Sequence, residues 1–232
     1  MRQDSYWNVV PAEEIYRIFK RIIIAPGFQL ISKGMLAKQV NDEIIHLIKL
    51  TAYKGAIYGL QWGVSLTYVP HRWENELRWH RSFKSAVFDL SDELNDMPEH
   101  RHLVELLQVD CFPSALHGPK LFEKNLKREW EEVRPILTGW LDRANHLQGV
   151  LLRAEEQMQR AWPGPHHWPP PSLVHAFTLA RLGRAQQAMA ELNAIICNEV
   201  RDPNGKLATA LQKARTTVNS GRLESAAADS VK

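Results

Sequence analysis

The densest run of side chains able to do chemistry is His71-Arg72-Trp73-Glu74-Asn75-Glu76-Leu77-Arg78-Trp79-His80-Arg81. Imidazoles and carboxylates are ligands for zinc and similar divalent ions, and on a helix two of them meet when they stand three or four residues apart. His71 with Glu74, and Glu76 with His80, have those spacings. A helical run would therefore bring each pair to an ion and support a metal-dependent hydrolase or nuclease. The composition argues for a simpler use. Arginines and glutamates interleaved with indoles make a surface segment held by ion pairs and ring packing, and no metal is assigned to it. Tryptophan and arginine are also the residues most enriched at binding hot spots, because each brings a large contact area with a polar handle. Trp73, Arg78, Trp79 and Arg81 are the candidate binding residues, and the expected partner is another protein.

Other reactive types are placed less suggestively. His100 and His102 flank Arg101, and His166-His167 stand within a proline-rich stretch. All four are expected to be solvated. Cys111 has no general base at a helpful spacing, although His117 follows in a turn-rich segment, so a buried inert thiol is expected there. Cys111 and Cys197 fall in separate segments and form no disulfide framework, which points to a reducing compartment and a cytoplasmic location. The sequence holds no phosphate-binding glycine loop, no serine nucleophile elbow, no His-Glu-x-x-His and no paired Cys-x-x-Cys. No catalytic residue and no cofactor is assigned, and the small-molecule ligand is left open.

The chain has 232 residues, 44% of them hydrophobic and 24% charged, with a formal charge of +3. That length buries a core without staples. The charge is too small to draw in nucleic acid, and the first apolar run stops at Pro26-Gly27, so neither a leader nor a membrane span is expected.

The elements that would position these residues are legible in the apolar spacing. Ile15, Ile18, Phe19 and Ile22 form the stripe of an amphipathic helix over 11–24. Short runs at 28–32, 35–40 and 43–50, divided by Lys33-Gly34 and Asn41-Asp42, read as adjacent antiparallel strands. Over 57–69 the alternation puts Tyr58, Leu60, Trp62, Val64, Leu66 and Tyr68 on one face and Gly59, Gln61, Gly63, Ser65 and Thr67 on the other. Its aromatics would stack bases if the face were open, yet so continuous an apolar face is core. Gly59 and Gly63 mark a bulge or close packing, or leave room for another group. The run 83–90 is a candidate fifth strand.

Beyond residue 98 the period is helical. Phe122, Leu126, Trp130, Val133, Leu137, Trp140, Leu141 and Ala144 trace one face, with Leu147, Leu151, Ala154 and Met158 continuing it past a bend at Pro135 or Gly149. A rigid proline connector over 162–171 precedes helices at 172–183 and 184–199, and a last short helix is expected to end near Val218. The run Ala176-Phe177-Thr178-Leu179-Ala180-Arg181-Leu182-Gly183-Arg184, with Ala188 and Leu192, resembles the helical hairpin of a tetratricopeptide repeat. Without a second copy it implies a lone hairpin and no solenoid.

Ala25-Pro26-Gly27-Phe28 after a helix, then Asn41-Asp42-Glu43-Ile44-Ile45-His46-Leu47-Ile48 and Trp62-Gly63-Val64-Ser65-Leu66, resemble a bacterial domain-of-unknown-function family across roughly the first 90 residues. Some of its members are encoded among candidate immunity proteins of toxin systems. The resemblance implies a toxin-like protein partner and brings no catalytic residues.

The expected fold class is α+β: an N-terminal helix with an antiparallel sheet of four or five strands over 1–97, an all-helical region over 98–218 and a frayed tail over 219–232. The expected function is that of a non-enzymatic interaction protein with no membrane partner. Nucleic acid is disfavoured, and the metal-dependent hydrolase using His71, Glu74, Glu76 and His80 is the alternative.

Overall fold

The computed structural model describes residues 9–73, 76–78, 82–94, 113–160 and 169–199, with positions 209, 212, 213, 215, 216 and 218. The architecture is α+β. Helix α1 (Ala12–Ile22) leads into a five-stranded antiparallel sheet, and helices follow it. Glu13 and Glu14 in the first turn of α1 and Lys20 and Arg21 in the last complement its dipole. Its stripe buries Ile15, Ile18 and Phe19, while Ile22 is half-buried.

The strands are β1 (Gln29–Ser32), β2 (Met35–Gln39), β3 (Ile44–Ala52), β4 (Tyr58–Leu66), β5 (His71–Trp73), β6 (Glu76–Arg78) and β7 (Leu90–Glu93). The sheet order is β1-β2-β3-β4-β7, and β5 pairs with β6 in a separate two-stranded sheet. Between β2 and β3 the Asn41 side chain accepts hydrogen bonds from the amides of Glu43 (2.9 Å) and Ile44 (3.0 Å). This is the local Asx geometry that makes asparagine a turn residue.

The fifth strand exists, but at Leu90–Glu93 and not over 83–90. Phe83–Ser85 is instead a single 3-10 turn, because Ser82 and Ser85 cap it reciprocally. The helices after the sheet are α2 (Pro119–Arg143), α3 (Leu147–Met158), α4 (Pro171–Arg181) and α5 (Ala185–Glu199). Helix α2 runs through Pro135. The chain breaks at 144–146, where the His146 ring accepts the Gly149 amide at 3.0 Å and caps α3. Every apolar position expected on the face from Phe122 to Ala144 is buried. Met158, expected to extend that face, is exposed.

The chain forms two compact units, one of residues 1–38, 46–63 and 91–141, the other of 39–45, 64–90 and 142–232. In the first, Ile15, Ile18 and Phe19 of α1, Leu60 and Trp62 of β4, and Phe122, Leu126, Trp130, Val133, Leu137 and Trp140 of α2 are buried. In the second, the buried set is drawn from Val64, Leu66 and Tyr68, from Val150, Leu151 and Ala154 of α3, from Leu173, Val174 and Phe177 of α4, and from Ala188 and Leu192 of α5. No helix among the described residues is long and apolar enough to cross a membrane. Residues 98–112, the connector 161–168 and the tail 219–232 lie outside the described residues, and with them Cys111, His100, His102, His166 and His167.

Candidate functional site

The described part of the segment singled out for chemistry, 71–73 and 76–78, is a pair of antiparallel strands and not a helix. Antiparallel pairing sets His71 opposite Arg78, Arg72 opposite Leu77 and Trp73 opposite Glu76. The i, i+3 and i, i+4 convergence of His71 with Glu74 and of Glu76 with His80 is a property of helices, so strand geometry at 71–73 and 76–78 removes that route to a paired ligand set. Glu74, Trp79, His80 and Arg81 lie outside the described residues, whereas Trp73 ends β5 and Arg78 ends β6. Of the four candidate binding residues, the structure therefore places two on the ribbon. Among the described residues no group of three or more His, Cys, Asp or Glu is arranged to hold a metal ion.

The aromatic face of β4 is core. Trp62 and Tyr68 are buried, and half-buried Tyr58 meets Phe122 edge-on, with ring centroids 5.5 Å apart and an interplanar angle of 84°. The glycine face answers a question the spacing left open. A Cβ on Gly59 would lie 3.0 Å from the Tyr53 ring and 3.4 Å from Glu129 Oε1. The missing side chain makes room for two others.

Around Gly59 the first unit gathers carboxyl groups. The Leu60 amide donates to Glu129 Oε1 at 2.8 Å, the Tyr53 hydroxyl donates to Glu93, and the Trp140 indole donates to Asp92 Oδ2 at 3.0 Å. A polar row leads away from them: Thr51 donates to Gln61 Oε1 (3.1 Å), whose amide donates to Ser91 Oγ (3.1 Å). Glu129 is only 3% exposed. Burial pushes its carboxyl up to about 8, the negative charge of Glu93 adds to the rise, and the Leu60 hydrogen bond opposes it.

The second unit uses its buried polar groups in the same way. Asp89 Oδ2 accepts the Leu66 amide at 2.6 Å. His175 on α4 faces Glu191 on α5 through Nδ1 (2.6 Å) and Glu155 on α3 through Nε2 (3.1 Å). Thr178 donates to the Val174 carbonyl at 2.7 Å, so the Tyr68 hydroxyl, 3.0 Å away, donates to Thr178. Burial pushes the Tyr68 phenol up, which keeps it a donor. Arg181 pairs with Glu43.

Glu129, Asp92, Asp89 and His175 were not singled out by residue type and spacing. A signal existed for Glu129: it stands three residues after Leu126 and four before Val133, inside the apolar stripe of α2. A carboxylate on a buried stripe needs a partner across the interface. The chemistry of this set is bracketing. Each group holds one segment of its unit to another by a hydrogen bond. No family model, no curated protein and no solved structure matches the chain.

Proposed function

We propose that the chain is a non-enzymatic protein-interaction protein of the cytoplasm, and that the ribbon β5–β6 carries the contact with its partner. The observation that supports this reading most is the topology. The ribbon forms its own two-stranded sheet outside the five-stranded one, soon after the interior strand β4. Short ribbons of this kind are marginal alone, and strand edges are common docking sites for a partner chain. The segment 71–81 adds three arginines and two tryptophans against two glutamates, a composition suited to an acidic protein surface. The buried carboxylates of both units support the non-enzymatic part, since Glu129 and Asp89 each bond a backbone amide and Asp92 bonds an indole of the chain itself. The resemblance of the first 90 or so residues to a family with candidate immunity proteins makes a toxin the proposed class of partner.

The test separates binding from folding. Trp73→Ala and Trp79→Ala are each expected to lower stability by under about 1 kcal/mol in denaturant titrations. Each is expected to weaken the captured partner's binding by roughly 2 kcal/mol or more. If both variants unfold, or both bind as tightly as the wild type, the ribbon is not the interface.

A further inference from the structure

Helix α2 meets β4 at the Tyr58–Phe122 ring pair and at one carboxyl group whose two oxygens are treated unequally. Glu129 Oε1 holds the Leu60 amide, while Oε2 is buried with no hydrogen-bond partner among the described residues. Among the described residues, the groups that act on this carboxyl are an amide and a second acid. From β4 come the Leu60 amide and Gly59, whose missing side chain makes room for the carboxyl; from β7 comes Glu93, a second acid; and from the loop before β4 comes the Tyr53 phenol, which donates to Glu93. Asp92, the other acid of β7, holds the Trp140 indole. On α2 itself the positions one turn away are Asn125, Leu126, Glu132 and Val133, which add only another acid.

We propose that Glu129 is a proton-operated latch between α2 and β4: the neutral carboxyl stays seated on Gly59 and Leu60, and loss of its proton leaves a buried carboxylate facing half-buried Glu93 and drives the helix off the strand. The seated form binds the proton more tightly than a solvated glutamate does. A seated carboxyl titrates at about 8, whereas a solvated one titrates near ~4.3. The sign follows from proton linkage. Between those two values the closed state carries a proton that the open state lacks, so each unit of rising pH favours opening by about tenfold. Above the seated value both states are ionised, and the effect levels off.

The latch is tested by amide hydrogen exchange at Leu60 in the full chain, from pH 5 to 9, comparing wild type with Glu129→Gln. Glutamine keeps an oxygen for the Leu60 amide and cannot ionise, and the ratio of the two rates cancels the intrinsic pH dependence of exchange. The wild-type opening constant, relative to the variant, is expected to rise about tenfold per pH unit and to flatten near 8. Glu93→Gln keeps an acceptor for Tyr53 but removes the facing charge, and it should move the flattening to lower pH. A constant ratio across the range overturns the proposal, as does a flattening point that Glu93→Gln leaves in place. If Glu129→Gln does not fold, the carbon-13 shift of the Glu129 carboxyl in the labelled wild type decides the matter. A midpoint well above that of the exposed glutamates supports the latch, and a midpoint among them overturns it.

Discussion

Trp62→Ala is expected to lower the stability of the chain by about 3–5 kcal/mol, read as a reduced denaturant midpoint at an unchanged slope. Trp62 has no solvent exposure and stands on the apolar face of β4 between Leu60 and Val64. Deleting the indole removes its transfer energy and leaves a cavity that close-packed neighbours fill only in part. The indole Nε1 has no hydrogen-bond partner among the described residues. Trp62→Phe, which keeps a ring and deletes the orphaned donor, should therefore lose less than the change in volume alone suggests. A midpoint unchanged in Trp62→Ala would mean that this face is open, and would revive a base-stacking surface.

Gly149→Ala sets propensity against packing, with opposite signs. In the first turn of α3, replacing glycine by alanine ought to stabilise an isolated helix by up to about 1 kcal/mol. In the folded chain a Cβ at Gly149 would lie 1.7 Å from the Arg143 carbonyl oxygen and 2.8 Å from its carbon. These are backbone atoms at the end of α2, so no side-chain rotation relieves the clash. The end of α2 and the start of α3 would have to separate, which would also strain the cap from the Gly149 amide to the His146 ring. The expected outcome is a loss of about 3 kcal/mol or more, at or above the upper end of ordinary overpacking. A stabilised variant in thermal or denaturant unfolding would show that the backbone at 143–149 is not packed as described.

Where the fold was legible in the residues, one period dominated over several turns or pleats. The stripes of α1 and α2 are such cases, because burial of one face enforces the spacing, and β4 keeps its alternation because bulky residues fill one buried face while glycines and small polar residues fit the other. Legibility failed where local hydrogen bonding or chain pairing overrode the pattern. Phe83, Ala86 and Phe88 alternate loosely enough to suggest a strand, but the Ser82–Ser85 cap turns the chain first, so the strand begins at Leu90. The run 71–78 has ligand types at helical spacing and nevertheless pairs as two short strands. Glu129 was overlooked for a different reason. Its role depends on a glycine some seventy positions earlier, and an isolated charged residue on a helix is ordinarily solvated.

The placement of the partner contact on the ribbon is tested most directly by amide exchange of the full chain, alone and bound to the partner recovered on it. The expected result is new protection at 71–78, with the exchange of α3 unchanged. Protection confined to another surface, such as the exposed Leu152 and Met158 on α3, with 71–78 exchanging as in the free chain, would contradict the account.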